Sequence, residues 1–252
     1  NGQVHRAYPS RLGGQDDHGG NIAAFEELVF GDPSCQIKSG VQWGLFGAAV
    51  LHLGTETHHD RWLPGIMSLE IPGIFAMTET GHGSDVSSLG TTATYDEATQ
   101  EWVIHTPFRG AWKDYLGNAA LHGKAAVVFA QLITKDVDHG VHAFYVPIRD
   151  DNGNFYPGVG GDDDGLKGGL NGIDNGRLHF DHVRVPRTNL LNRYGDVAAD
   201  GLVGHLDARD FANLTGWDDG RHAEDLVAAW NASGFIDEPG TPRARLHGFD
   251  EI

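Results

Sequence analysis

The chain has 252 residues with 40% hydrophobic and 21% charged composition, and its 35 acidic residues against 18 basic ones leave a formal net charge of -17. Such proportions exclude wholesale disorder, the acidity disfavours nucleic acid as a partner, and no run is long and apolar enough to span a bilayer. The lone Cys35 excludes an internal disulfide framework and, with the acidity, suits a bacterial cytoplasm, while 36 glycines argue against a pure helical bundle.

Residues 1–20 are polar and glycine-rich, without a period. From Asn21 the residues Ile22, Phe25, Leu28 and Val29 recur at helical spacing. Gly31-Asp32-Pro33-Ser34 reads as a turn that caps a second helix, whose apolar side is Ile37, Val41, Leu45, Ala48 and Val50-Leu51. Gly40, Gly44 and Gly47 within it imply that something passes very close. A third helix is expected over His58–Met67.

The texture changes near Ile71-Pro72-Gly73. Strands are expected at Ile74–Thr78, Thr91–Tyr95, Glu101–Thr106, Ala125–Leu132, Val141–Val146 and Arg177–Phe180, separated by short turns as in a small antiparallel sandwich or barrel. Gly158–Gly172 reads as a long loop. After about residue 200 one further helix is expected over Gly220–Phe235, followed by a loose end around Pro239-Gly240-Thr241-Pro242.

Phe75 through Val86 is the most informative stretch. A strand runs into Thr78-Glu79-Thr80-Gly81-His82-Gly83-Ser84, a loop with two glycines and exposed main-chain N–H groups, which a ring edge or a pyrophosphate can approach closely. A loop of this composition is by itself more often a plain surface turn. Other chemistries find less support. Among fifteen histidines, the groups His58-His59-Asp60 and His139-Gly140-Val141-His142 lack metal-ligand spacing, and no metal site is expected. Asp162-Asp163-Asp164 lacks the calcium-loop spacing and reads as a solvated loop. No Gly-x-Ser-x-Gly pattern occurs, so a hydrolase is disfavoured.

The Thr78–Ser84 stretch resembles the flavin loop of the acyl-CoA dehydrogenase and oxidase superfamily, and its Thr-Glu-Thr-Gly-His-Gly form resembles the oxidase branch. Ile37 through Gly47, Gly54 through His59, Trp62-Leu63-Pro64, Thr91 through Asp96, Ala143 through Arg149 and Asp174 through Arg187 agree in the same order, over roughly residues 10 to 200. The resemblance implies an α+β fold. Residues 1–70 form a partial N-terminal helical domain, and residues 71–190 an antiparallel β-sandwich or barrel. Residues 191–252 form an unmatched tail that departs from the family's C-terminal helical bundle. It implies FAD as cofactor, with Met77, Thr78, Gly83, Ser84, Tyr115, Leu116 and Gly117 as binding residues. Ser84 would also lie near the thioester arm of a fatty acyl-CoA, and Tyr115 would stack on the flavin ring. Gly117, where dehydrogenases carry a threonine, would leave room beside the flavin for oxygen.

The implied reaction oxidises acyl-CoA to trans-2-enoyl-CoA: a carboxylate takes the α-proton, the β-hydrogen passes to the flavin as hydride, and oxygen becomes hydrogen peroxide. In the family the base is a glutamate of the C-terminal domain, so the chain reads as an incomplete piece of a longer protein with no assignable catalytic residue. Glu224, Glu238 and Glu251 in the tail are not given the role. The resemblance also implies a homodimer for the full-length protein, and a peroxisomal location if that protein is eukaryotic. An acyl-CoA dehydrogenase and a non-catalytic flavin- or CoA-binding remnant are the alternatives.

Overall fold

The computed structural model describes residues 5–205. The helix expected over Gly220–Phe235 lies outside the described residues. The helical part comes first: α1 (His18–Gly31), α2 (Pro33–Ser39), a π-helical stretch Gly40–Phe46, α3 (Gly47–Leu53) and α4 (Glu56–Met67). Local chemistry sets the ends. Asp17 caps α1 by accepting from Gly20 N–H at 2.8 Å. Asp32 caps α2 by accepting from Ser34 N–H at 2.7 Å, with Pro33 in the first turn. Thr55 and His58 form a reciprocal cap at α4.

The single helix expected from Ser34 onward is therefore three segments in line, with a π-helical middle. Gln42 is buried there and bonds outside the helix: its amide donates to the carbonyls of Ile66 (3.0 Å) and Ile71 (2.9 Å), and its Oε1 accepts from Gly73 N–H at 2.7 Å. This residue ties the helical part to the first strand. The close approach expected at the glycines is real at two of three positions. A Cβ at Gly47 would strike the Tyr8 hydroxyl, and one at Gly40 would sit 3.1 Å from Phe25, whereas Gly44 faces open space.

The β part comprises β1 (Gly73–Ala76), β2 (Thr92–Asp96), β3 (Glu101–His105), β4 (Lys113–Gly117), β5 (Ala125–Thr134), β6 (Val137–Pro147), β7 (Val159–Asp163), β8 (Asn175–Phe180), β9 (Val183–Pro186), β10 (Gly195–Val197) and β11 (Val203–His205). One curled sheet runs β1-β5-β2-β3-β9, with β6 on the other edge of β5; β4-β8-β7 forms a second sheet, and β10-β11 a hairpin. All six expected strands are present. Two pairings, β1 and β2 each against β5, are parallel, so the first sheet is mixed.

The reason lies in β5. Its sequence is nearly continuous in apolar residues, and both its faces are covered. Ala126, Val128, Ala130 and Leu132 face a core shared with β3, β8 and β9. Ala125, Val127 and Phe129 face a second core built with Phe46, Val50, Trp62, Leu63 and Ile66 of the helices. The period of two thus divides one strand between two cores.

One expectation fails clearly. The Gly158–Gly172 stretch is not all loop, because Val159–Asp163 forms β7 on β8. The two glycines inside β7 are there for contact rather than for turning: a Cβ at Gly160 would strike the His179 ring, and one at Gly161 the Arg177 carbonyl.

Candidate functional site

The loop after β1 is held by one buried carboxylate. Glu79 is 1% exposed and accepts from Gly90 N–H (2.8 Å), Thr91 N–H (3.0 Å), the Thr91 hydroxyl (2.6 Å) and Lys113 Nζ (3.0 Å). Both ends of residues 80–89 are thereby pinned to β4. Lys113, itself fully buried, also donates to the carbonyls of Met77 (3.1 Å) and Phe129 (2.6 Å). Burial pulls the Lys113 ammonium down to about 8 against the opposing pull of Glu79. Burial alone would raise the Glu79 carboxyl, but the Lys113 charge and the Thr91 and Gly90 bonds outweigh it and leave it below its ordinary value. Gly81 completes the anchor by donating to the Gly110 carbonyl at 2.8 Å, where an added Cβ would be only 3.0 Å from that oxygen.

β4 carries the second set of residues. Asp114 N–H donates to the Thr78 carbonyl at 3.0 Å, which registers the strand against the loop. The Asp114 carboxylate is 2% exposed and accepts from Thr80 Oγ1 (2.9 Å), Tyr115 N–H (2.8 Å) and Arg177 Nε (2.9 Å). Burial would raise this carboxyl too; the Arg177 bond, followed by those from Tyr115 and Thr80, reverses the direction and holds it low. Tyr115 is fixed at φ +61° with its carbonyl taken by Asn175 Nδ2 at 3.1 Å, and its ring is 69% exposed. A positive φ is unfavourable for a tyrosine, so the neighbouring bonds determine it.

Thr78, Tyr115, Leu116 and Gly117 all border one cleft of about 270 Å³. Ile37, Val41 and Leu45 of the helices close one side, and Phe75, Ile173 and Asn175 border it as well. The Leu116 side chain packs into the β-part core. Val41 packs directly against Gly117: a Cβ there would lie 2.8 Å from Val41 Cγ2. Glycine at 117 therefore admits the helix on that side while still bordering the cleft. Met77, Gly83 and Ser84 do not border this cleft. Met77 packs toward the helical core, and Gly83 and Ser84 are exposed on the loop.

A larger apolar groove of about 460 Å³ lies on the other side of Ile37, Val41 and Leu45, which line both spaces, and is walled by Ile22, Phe25 and Leu28 of α1. The helices are held over β4 by Asp174, which accepts from Lys38 Nζ (2.6 Å) and from the main chain of Leu121 and His122 (2.9 Å each). Sequence reasoning missed Asp114 and Asn175 as site residues. The Asp174–Arg177 stretch was visible as a motif, but its place beside Tyr115 depends on the pairing of β8 with β4.

The cleft can accommodate a flat ring against an apolar wall of Phe75, Val41 and Ile37, with Thr78 and exposed Tyr115 at its border. Asp114 is the single carboxylate among its lining residues, and it is buried, charged and fully engaged. It is a poor proton acceptor, so the cleft as described supplies a binding surface without a general base.

Comparisons agree with this architecture. Residues 1–70 match the model of the acyl-CoA dehydrogenase N-terminal domain, and residues 74–183 match that of the acyl-CoA dehydrogenase middle domain. The chain is 52% identical over 193 residues to the peroxisomal acyl-coenzyme A oxidase 2 of Arabidopsis thaliana, an alignment that takes in 74% of this chain and 28% of the relative. The acyl-CoA oxidase of tomato superposes with a TM-score of 0.66 at 35% identity, over 75% of this chain and 31% of that one. Acyl-CoA oxidase-1 of Caenorhabditis elegans, solved in complex with FAD and ATP, gives 0.65 at 30% identity, over 81% and 34%. The chain thus spans under a third of the first relative's length. These relatives are eukaryotic and the first is peroxisomal by name, so the bacterial cytoplasm expected from composition finds no support.

Proposed function

We propose that this chain, which belongs to the acyl-CoA dehydrogenase and oxidase superfamily, supplies the FAD- and acyl-CoA-binding surface of an enzyme that oxidises fatty acyl-CoA to trans-2-enoyl-CoA. The observation that carries the reading is the convergence of Thr78, Tyr115 and Gly117 with helix residues Ile37 and Val41 on one cleft. Bound FAD would supply the two-electron oxidation of the Cα–Cβ bond and hand the electrons to oxygen, giving hydrogen peroxide.

The chain's own residues would do the positioning. Thr78 would hold the ring edge by its side chain and main chain, Tyr115 would cover a ring face, and Val41 and Phe75 would exclude water. The loop carrying Gly83 and Ser84, anchored by Glu79, would present main-chain N–H groups to the phosphates and Ser84 to the thioester arm. The apolar groove beyond Ile37, Val41 and Leu45 suits an alkyl tail. The base would come from a glutamate of the C-terminal domain that the resemblance implies, in keeping with the engaged state of Asp114.

The working enzyme would be a homodimer, peroxisomal in a eukaryote. Domain boundaries near residues 70 and 190 separate helices, β platform and tail. A second reading, a flavin-binding module without turnover, is favoured by the absence of an available carboxylate among the cleft's lining residues.

FAD titration of the 252-residue chain, followed by flavin fluorescence, tests the site. Saturable binding is expected, weakened about tenfold or more in Tyr115→Gly, a change that suits the positive φ and so preserves the fold. Equal affinity in that variant would remove Tyr115 from the site. Anaerobic bleaching of the flavin by acyl-CoA, then peroxide release in air, would separate the oxidase from the module in a protein that includes the base; bleaching without an oxygen reaction would indicate a dehydrogenase.

A further inference from the structure

The connection from β8 to β9 carries the chain from the second sheet to the first, because β8 pairs with β4 and β7 while β9 pairs with β3. Two residues, Asp181 and His182, make this corner. His105, the last residue of β3, faces them. The His105 and His182 rings stack with centroids 4.0 Å apart, and Asp181 Oδ1 lies 2.7 Å from His182 Nδ1 and 3.9 Å from His105 Nδ1. We infer that His105, Asp181 and His182 form a binding site for a divalent transition-metal ion of the zinc type.

Three independent features support the assignment. The first is the donor set. Each residue offers one ligand atom, and these atoms all lie within 4.8 Å of one another. Two donors held about 2.1 Å from a tetrahedral ion stand roughly 3.4 Å apart, and the two observed separations from Asp181 bracket that value. Imidazoles with one carboxylate suit zinc, nickel, cobalt or copper better than calcium or magnesium.

The second is an unspent atom. His105 Nδ1 is enclosed and has no hydrogen-bond partner, since Asp181 stands beyond bonding distance. A buried ring nitrogen without a partner is costly, and an ion between it and Asp181 would satisfy both.

The third is pre-organisation. Thr106 N–H donates to the Phe180 carbonyl at 2.8 Å and Phe180 N–H donates to Thr106 Oγ1 at 2.9 Å, so the residues next to His105 and Asp181 are locked together. Asp181 N–H donates to the Gly158 carbonyl at 2.8 Å. His182 sits at φ +54°, a conformation that aims its ring back over His105. The ligands thus come from fixed main chain, while the exposed His182 and Asp181 side chains can swing to splay the stack and leave positions for water. The chain's charge of -17 favours cation capture.

The site lies past the Phe180 end of β8, away from Asn175 at the cleft, and would staple the two sheets together without taking part in the proposed oxidation. Titration calorimetry with zinc chloride on the chelator-stripped 252-residue chain tests it. One site is expected, with affinity reduced at least tenfold in His105→Ala and in His182→Asn; asparagine tolerates the left-handed conformation, so the second variant stays folded. His139→Ala, outside the cluster, should leave binding unchanged. A zinc-dependent rise of the thermal midpoint in the parent chain, lost in His182→Asn, would accompany it. Absence of zinc binding, or binding that survives both cluster variants, or equal loss in His139→Ala, overturns the assignment.

Discussion

At the scale of single residues, the Glu79–Lys113 pair governs the loop that borders the cleft. Both side chains are fully buried, and two bare charges would be costly there; four bonds to Glu79 and three from Lys113 offset that cost. Removing one partner is worse than removing both. Glu79→Gln would leave an ammonium in an apolar site and should destabilise the chain by about 3 kcal/mol. The direction of its pH dependence follows from Lys113. The folded value, about 8, lies below that of the unfolded chain, so between the two the unfolded state binds more protons and stability rises with pH. Without Glu79 that value falls further, and the gain begins at lower pH. The deficit of Glu79→Gln relative to the parent should therefore be largest at pH 6 to 7 and shrink toward pH 9. Urea midpoints across that range measure it; a deficit independent of pH would mean that Lys113 is not the stranded charge. The double variant Glu79→Gln with Lys113→Met should recover part of the loss.

At the scale of elements, the crossing of the π-helical stretch over β4 sets the shape of the cleft. Val41 occupies the space a side chain at 117 would need. Gly117→Ala should cost about 1 to 3 kcal/mol through overpacking. Val41→Ala should cost about 1 kcal/mol through lost burial. Combined, the two should cost clearly less than their sum, with a coupling of about 1 kcal/mol or more in a double-mutant cycle. Simple additivity would show that the contact carries no load. The sequence made neither partner's role visible, because Val41 and Gly117 meet only through tertiary packing. The same limit runs through the element assignments. The strand β5 was legible because its apolar run is long, and β2 and β3 because they alternate around a short turn. The strand β4 was hidden by Lys113 and Asp114, two charges that belong inside only because Glu79 and Arg177 meet them there. The strand β7 was hidden by glycines whose purpose, contact with His179 and the Arg177 carbonyl, depends on a partner strand far along the chain. The cleft itself was partly legible: Thr78, Tyr115, Leu116 and Gly117 border it, but Asp114 and Asn175 had no local signature. The corner of His105, Asp181 and His182 had none either, because its residues become neighbours only when two sheets meet.

At the scale of the whole molecule, the helical face competes with the charge. No residue of α1 is buried, and Ile22 is 61% exposed, Phe30 85% and Leu45 45%. Together with the groove between α1 and the π-helical stretch, they give the chain an apolar face of the kind that drives association. The net charge of -17 opposes it, since two copies repel before their apolar faces touch. These opposing terms respond differently to salt. Repulsion between exposed charges is screened over about 10 Å at 0.1 M and about 3 Å at 1 M, while burial of apolar surface is left intact. The chain by itself should therefore be mainly monomeric at low ionic strength and associate as salt rises, the reverse of an interface held by ion pairs. Sedimentation velocity in 20 mM and 500 mM sodium chloride distinguishes the two. Phe30→Asp with Leu45→Glu should abolish the salt-induced species, and because both side chains are exposed the change should leave the thermal midpoint within a few degrees. A monomer at every salt concentration would show that this apolar face does not drive association.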